Sequence, residues 1–446
     1  MNIVRLRNTI VISVVAAYLL LNYGFQVVKI PPGRYAIPVG ELCLVFAILL
    51  CAHRTVLPQF ARTGVIYAFG AWWAICLAQL LYAIPNHGFW AFRDASQFIE
   101  SSFLYLGFCL STHEIARLKR WTPWFLFVAV LYGLTYPARE FFQQFSPILE
   151  TSSGGTAYLI FTYISTPTLL ILAAFMLIMY AGQARRSERG LLLFLAAGLL
   201  GYTVYAFQQR TIYLQILTLV ILAVIMNRRF RRLLPAIAVL FIAFLAVFPY
   251  FGIDLQGRLG MEAGLGFVVN HLLAIGGVSS EGLEGTAGGV GQRLGWWYGI
   301  FLRVSDNWLT ALFGLGYGQP LIEFRYREAG LIVREPHNSV MTAFGRTGIA
   351  GLTAWLTAQL YLGFVWLKTY RYAVSHAHAN TIVFLRIVLF YSALIWVFSL
   401  GEDAFEKPFH TVPYYFLWGC ALKIRLEQRA REITAVSRLQ PAAQPG

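Results

Sequence analysis

A histidine, an asparagine and an arginine open an apolar segment late in the chain, in the sequence PHNSVMTAFGRTGIAGL. An imidazole titrates near neutral pH and can take a proton from a hydroxyl nucleophile, so His337 is a candidate general base. Pro336 suits the first turn of a helix, which puts His337 and Asn338 at its edge. Arg346 lies farther along, where a charge needs a polar partner. The alternative is that the histidine is purely structural.

Two further arginines are candidates for binding an anion. Arg210, in YAFQQRTIYLQ, begins a predicted helix, where exposed N–H groups and the helix dipole favour negative charge. Arg293, in GGVGQRLGWWYG, precedes two tryptophans. Guanidinium groups bind phosphate oxygens bidentately and stay charged at any physiological pH. We therefore predict that they bind a diphosphate at a membrane surface. The alternative is that each arginine pairs with Glu41, Glu100 or Glu402.

The sequence lacks the motifs for metal binding, for phosphate binding by a P-loop and for a nucleophilic serine. The aspartates are far apart and form no Asp-x-Asp pair, and His376 and His378 have no neighbouring ligand to complete a metal site. The cysteines fall within apolar segments and have no zinc spacing. There is no phosphate-binding P-loop and no Gly-x-Ser-x-Gly sequence. We therefore expect neither a metal nor a cofactor.

The composition predicts an all-α polytopic membrane protein, because 58% of the residues are hydrophobic and only 12% are charged. A bilayer is crossed by a helix of roughly 17–25 apolar residues. About twelve such segments are present: 8–29, 36–52, 63–84, 95–111, 121–137, 156–181, 189–206, 210–227, 232–251, 338–367, 382–400 and 408–422.

The basic residues predict the orientation. Most of the 35 lysines and arginines lie in alternate connections and in the C-terminal tail. Basic short loops mark the cytoplasmic side, so both termini are predicted to be cytoplasmic and the first helix to be uncleaved. The formal net charge of +15 is then explained mainly by the basic residues of the cytoplasmic loops. Because the basic residues are spread over many segments instead of one patch, we expect no nucleic-acid partner.

This orientation gives one large outer, periplasmic loop. The predicted division is helices 1–9 in 1–251, the loop with short amphipathic helices in 252–336, helices 10–12 in 337–425 and a disordered cytoplasmic tail in 426–446. Glycines predict an irregular first half of the loop. A helix over 293–314 has an apolar stripe, and Asp306 is predicted to cap a second short helix.

The polar residues within the predicted spans gather in the outer half of the membrane. A charge at mid-bilayer costs about 2.5–3.5 kcal/mol on insertion scales and less near the interface. Any one of these groups could be tolerated there, but the whole set predicts a polar cavity open to the outside. Its members are Glu41, Arg93, Asp94, Glu100, Arg210, His337, Asn338, Arg346, Glu402 and Asp403.

The segment that opens at His337 resembles the His-Asn and glycine signature of the O-antigen ligase and O-antigen polymerase superfamily. The similarity runs through His337, Asn338, Gly345, Gly348 and Gly351. LFGLGYG, shortly before it, resembles the glycine motif of the same proteins. The long outer loop, with its arginine, and the arginine that heads an earlier helix also agree.

The resemblance implies a metal-independent glycosyltransferase of the bacterial inner membrane, active on the periplasmic face. Its donor would be a glycan on undecaprenyl diphosphate and its acceptor lipid A-core or another glycan, as in lipopolysaccharide and polysaccharide biosynthesis. It implies that His337 activates the acceptor hydroxyl and that Arg210 and Arg293 hold the diphosphate. Asn338 and Arg346 are further candidates for substrate binding. Arg346 departs from the family pattern, and we expect it to pair with Glu100 or to contact the lipid phosphate.

Three alternatives remain open at this stage. Ligase and polymerase need the same donor site and base, so the sequence does not separate them. A transporter of an anionic lipid-linked or sugar substrate could use the same arginines, although no paired broken helices are evident. A structural membrane subunit would use the arginines only to neutralise carboxylates.

Overall fold

The computed structural model describes residues 3–31, 36–51, 53–151, 155–247, 284–326 and 331–439. These residues are mostly helical, which confirms the all-α class. In the first part of the chain the helices are α1 (Ile3–Leu21), α2 (Tyr23–Gln26), α3 (Val39–Leu49), α4 (His53–Arg62), α5 (Val65–His87), α6 (Phe89–Asp94), α7 (Ser96–Glu100), α8 (Phe103–Phe108), α9 (Thr112–Leu134), α10 (Arg139–Gln143), α11 (Thr166–Ala181), α12 (Arg186–Phe207), α13 (Arg210–Met226) and α14 (Arg228–Val247).

The remaining helices carry the signature segment and the C-terminal region. They are α15 (Glu284–Val304), α16 (Trp308–Phe313), α17 (Ser339–Ser375), α18 (Ala379–Ser399) and α19 (Pro408–Leu439). Three short antiparallel hairpins pair β1 (Lys29–Ile30) with β2 (Ile37–Pro38), β3 (Ile148–Glu150) with β4 (Thr156–Tyr158), and β5 (Phe324–Tyr326) with β6 (Leu331–Val333).

Among the described residues, six helices are long and apolar enough to cross a membrane: α1, α5, α12, α14, α17 and α18. Helices α3 and α4 meet both criteria only as a pair, which is bent by 99°. Helices α11 and α13 are apolar but shorter. The predicted span 95–111 is divided between the two short helices α7 and α8. The predicted span 121–137 extends three residues past the end of α9, and 408–422 lies within α19; neither helix meets the criteria.

The helices pack around one extensive apolar core. Helix α8 lies so close to α19 that a Cβ on Gly107 would be 2.2 Å from the Phe416 carbonyl oxygen. A Cβ on Gly419 would likewise be 2.1 Å from the Leu104 carbonyl oxygen. Small residues of this kind let helix backbones approach closely. Many large apolar side chains point outward, such as Leu360 at 75% exposure, as expected of helices that face lipid.

The structure corrects two predictions for the region before α17 and one for the C-terminal tail. The glycine-rich residues 284–292 are helical and form the start of α15, whereas 252–283 lie outside the described residues. Asn307 caps α16, accepting from the Leu309 and Thr310 nitrogens, in the role predicted for Asp306. In the tail predicted to be disordered, α19 continues to Leu439, and 440–446 lie outside the described residues.

Candidate functional site

Asn338 fixes the start of α17 and joins it to the segment that follows α18. Its side-chain oxygen accepts from the Met341 nitrogen at 3.0 Å, which makes it the N-cap. Its amide nitrogen donates to the Leu400 carbonyl at 3.1 Å. Both polar ends of the side chain are therefore bound within the protein, and Asn338 positions the residues on either side of the site.

His337 lies beside two consecutive carboxylates. Its Nδ1 is 3.1 Å from Glu402 Oε2 and 3.4 Å from Asp403 Oδ2. Its φ of 53° is in the left-handed region, which side-chain-bearing residues adopt rarely and which is often found at functional sites. Burial disfavours the charged imidazole, but the contacts with Asp403 and Glu402 outweigh it and raise the pKa of His337 to about 9. At neutral pH the site thus holds an imidazolium.

Glu402 also contacts Arg293, so this arginine lies at the same site as His337. Arg293 Nη2 lies 3.4 Å from Glu402 Oε1, so one carboxylate contacts both the guanidinium and the imidazole. The Trp297 indole nitrogen also donates to the Pro336 carbonyl at 3.0 Å, which attaches α15 to the residue before His337. Arg293 and Glu402 keep about a third of their side-chain surface exposed, at 35% and 37%, so this cluster is accessible from outside the protein.

Arg210 approaches the cluster from the start of α13. A Cβ on Gly401, the neighbour of Glu402, would lie 3.4 Å from Thr211 Cγ2 and 3.6 Å from Arg293 Nη1. The first turn of α13 and the Arg293 guanidinium therefore flank the same glycine. The charges of Arg210 and Arg293 repel each other across this gap, and such a pair of cations gains stability when an anion lies between them.

Arg346 is not at this cluster. It is 2% exposed and lies 2.9 Å from Asp94 and 2.7 Å from Glu335, so the predicted pairing with Glu100 is corrected. It also donates to the carbonyls of Gly316, at 3.1 Å, and Gln319. These contacts join the glycine motif, the strand before His337 and α17. Arg346 therefore has a structural role in this state of the protein.

Sequence reasoning left parts of this region unassigned. Glu402 was named as a possible partner of Arg293, and the structure contains that ion pair. Neither Glu402 nor Asp403 was linked to His337, because nothing in the chain connects them to a histidine more than sixty positions away. Gln208, two residues before Arg210, is buried with both amide atoms unpartnered and has a φ of 49°. Its position next to an arginine at a predicted helix start was the available signal.

The arrangement combines two guanidinium groups with an imidazole that contacts two carboxylates. It can accept a proton at His337, and it can hold an anion of two phosphates at Arg293 and Arg210 once Glu402 moves away from Arg293. Within the described residues, no group of three or more His, Cys, Asp or Glu side chains is arranged to hold a metal ion.

A search of family models finds none that matches the chain. A comparison with curated proteins finds no significant sequence match.

Proposed function

We propose that this protein is a membrane glycosyltransferase that moves a glycan from a lipid diphosphate, of the undecaprenyl type, to an acceptor hydroxyl. The observation that carries the proposal is the shared contact of Glu402 with His337 and Arg293, with the start of α13 adjoining. A candidate base and two candidate phosphate ligands, far apart in sequence, lie around one partly exposed carboxylate. In the bacterial inner membrane this end would face the periplasm, with twelve spans and cytoplasmic termini.

In the proposed reaction the diphosphate displaces Glu402 from Arg293 and is held by Arg293 and Arg210. The acceptor hydroxyl oxygen forms a bond to the anomeric carbon of the glycan, and its proton passes to Nε2 of neutral His337. The bond from that carbon to the diphosphate oxygen breaks, and the lipid diphosphate leaves with the electron pair. The two arginines stabilise the charge that develops on it. Asp403 remains at Nδ1 and stabilises the imidazolium that forms.

The first test is reconstitution with undecaprenyl-diphosphate glycan and candidate acceptors, comparing the wild type with His337→Ala and Arg293→Ala. We expect transfer by the wild type and a loss of at least about 100-fold in each variant. Arg303→Ala is the matched control, because Arg303 lies on the same helix and, among the described residues, donates its hydrogen bonds to the backbone carbonyls of Pro320 and Leu321. Unchanged transfer in His337→Ala would disprove the role of His337 as the general base.

The same reconstitution distinguishes the alternatives. Flux of intact lipid across the vesicle without transfer would favour a transporter. Binding of neither donor nor acceptor would favour a structural subunit. Lipid A-core as the productive acceptor identifies a ligase, whereas joining of repeat units identifies a polymerase.

A further inference from the structure

A second group of cations lies at the other end of the molecule. A groove between α17 and α19 is lined by Lys368, Arg425 and Arg429 and by apolar side chains that include Phe364, Leu422 and Leu426. We call it the basic groove. It involves none of the residues of the His337 site.

The position of the basic groove along α17 is informative. From Ser339 to Lys368 a straight helix would rise about 1.5 Å per residue, or roughly 43 Å, and the break at Gly348 shortens this somewhat. A bilayer with its headgroups is about 40–45 Å thick. If His337 lies at one membrane surface, the basic groove lies at the headgroup level of the opposite leaflet.

The cations of the groove are incompletely neutralised. Arg425 pairs with Glu432 at 3.0 Å. Lys368 Nζ lies over the Phe364 ring, 4.2 Å from its centre, and Arg429 donates to the Arg62 carbonyl at 3.5 Å. The ion pairs of the described residues include neither Lys368 nor Arg429. An anionic group would therefore find two cations without carboxylate partners.

An apolar stripe leads from these cations toward the middle of the membrane. Leu360, Phe364 and Leu367 follow one face of α17 at helical spacing and are 75%, 51% and 38% exposed. A free phosphate could use the cations but would leave this stripe uncovered. An amphiphile with an anionic head uses both, because its acyl chain can lie along the stripe while its phosphate reaches the groove.

We propose that the basic groove binds the headgroup of an anionic phospholipid of the inner, cytoplasmic leaflet. The proposal rests on the membrane-spanning part of the proposed function and not on its chemistry. Bound at the junction of α17 and α19, the lipid would hold together two helices that begin a few residues after His337 and Asp403, respectively, at their other ends.

The experiment uses the full chain in detergent and measures binding by native mass spectrometry and by thermal unfolding. The probes are phosphatidylglycerol, phosphatidylcholine with the same acyl chains, and water-soluble glycerol 3-phosphate. The test variant is Lys368→Gln with Arg429→Gln. The matched control is Arg228→Gln with Arg232→Gln, which removes the same charge from two exposed arginines on α14.

We expect phosphatidylglycerol to bind the wild type and the control and to raise their unfolding temperature. The groove variant should bind it roughly 10- to 30-fold more weakly, and phosphatidylcholine should bind all three weakly. If both double variants lost phosphatidylglycerol binding equally, general surface charge would explain the binding and the proposal would be overturned. Equal stabilisation by glycerol 3-phosphate would overturn it in favour of a phosphate site.

Glycan transfer is assayed separately on the same preparations. Loss of phosphatidylglycerol binding in a groove variant that still transfers glycan supports the lipid site by itself. Transfer absent from every preparation, with lipid binding intact, would refute the proposed reaction while leaving the lipid site in place.

Discussion

Glu402 contacts both the proposed base and one proposed phosphate ligand, so two properties of the site should change together when its charge is removed. Through its contact with Arg293 it competes with an incoming diphosphate. Through its contact with His337 it favours the imidazolium. A carboxylate with only one of these contacts would affect only one property, and Asp403 is such a residue.

We predict that Glu402→Gln lowers the donor KM by up to about fivefold. The free energy of an exposed ion pair corresponds to a change in affinity of about that size at most. The same substitution should lower the pKa of His337. The raised pKa of about 9 keeps the base protonated at neutral pH, so transfer by the wild type should increase as the pH rises through 9. In Glu402→Gln this increase should occur at lower pH. Donor KM and pH–rate profiles measure both effects.

Asp403→Asn is the matched variant. It should shift the pH–rate profile in the same direction and leave the donor KM unchanged, since Asp403 contacts His337 but forms no ion pair with Arg293 among the described residues. A higher donor KM in Glu402→Gln would mean that Glu402 contacts the substrate, and the competition would be disproved.

The buried arginine has a different consequence. Arg346→Met would leave Glu335 buried without a guanidinium partner and Asp94 with only the longer contact to Arg334 at 3.4 Å, and breaking a buried pair in this way costs about 3–5 kcal/mol. We expect a lower unfolding temperature, with part of the loss recovered when Glu335→Gln is added. Full stability in the single variant would contradict the structural role.

At this scale the sequence could select candidate residues, but it identified few of their pairings. His337, Arg210 and Arg293 could be selected because few side chains act as a base or a phosphate ligand. The partners of Arg346 could not be identified, because Asp94 lies on a short helix more than two hundred positions away and membrane depth alone also admitted Glu100. The role of Glu402 depends on the contact between two connections that the sequence leaves independent.

At the scale of the elements, the glycine motif and α17 fit together through backbone contact. Gly348 interrupts α17 with φ 64° and ψ −166°, a conformation almost confined to glycine. A Cβ there would lie 2.5 Å from the Gly314 nitrogen, and one on Gly314 would lie 2.5 Å from the Arg346 carbonyl oxygen. The sequence showed both glycines, but the conformation they permit required the structure.

We therefore predict that Gly348→Ala destabilises the protein by at least about 1–3 kcal/mol, the cost of a strained backbone before any steric clash is added. Thermal unfolding measures it. Gly363→Ala, also in α17, is the control, because a Cβ there meets no atom within 4 Å, and it should be neutral or slightly stabilising. Equal effects of the two substitutions would show that the break at Gly348 has no importance for stability.

For the whole molecule, composition was sufficient to predict a helical, lipid-facing protein, but hydropathy alone overstated how regular its helices are. The apolar segment 95–111 contains the polar residues Ser96, Gln97 and Glu100, and it folds as short helices that pack inside the bundle. Where a segment is covered by other helices, an apolar sequence reflects burial as well as contact with lipid. Length and exposure together are therefore better criteria for a span than hydropathy by itself.

The orientation of the whole chain can be tested at the two ends of α17, since the proposals put the His337 end outside and the basic groove inside. Ser305 and Ser375 are both exposed, one directly after α15, the helix that carries Arg293, and the other at the end of α17. The five native cysteines are buried or only partly exposed, so background labelling should be low. An impermeant maleimide added to intact spheroplasts should modify Ser305→Cys and leave Ser375→Cys unmodified until the membrane is opened. Modification of both from the same side would mean that α17 does not cross the membrane, and the reverse pattern would put the His337 site in the cytoplasm, where a periplasmic transfer reaction is impossible.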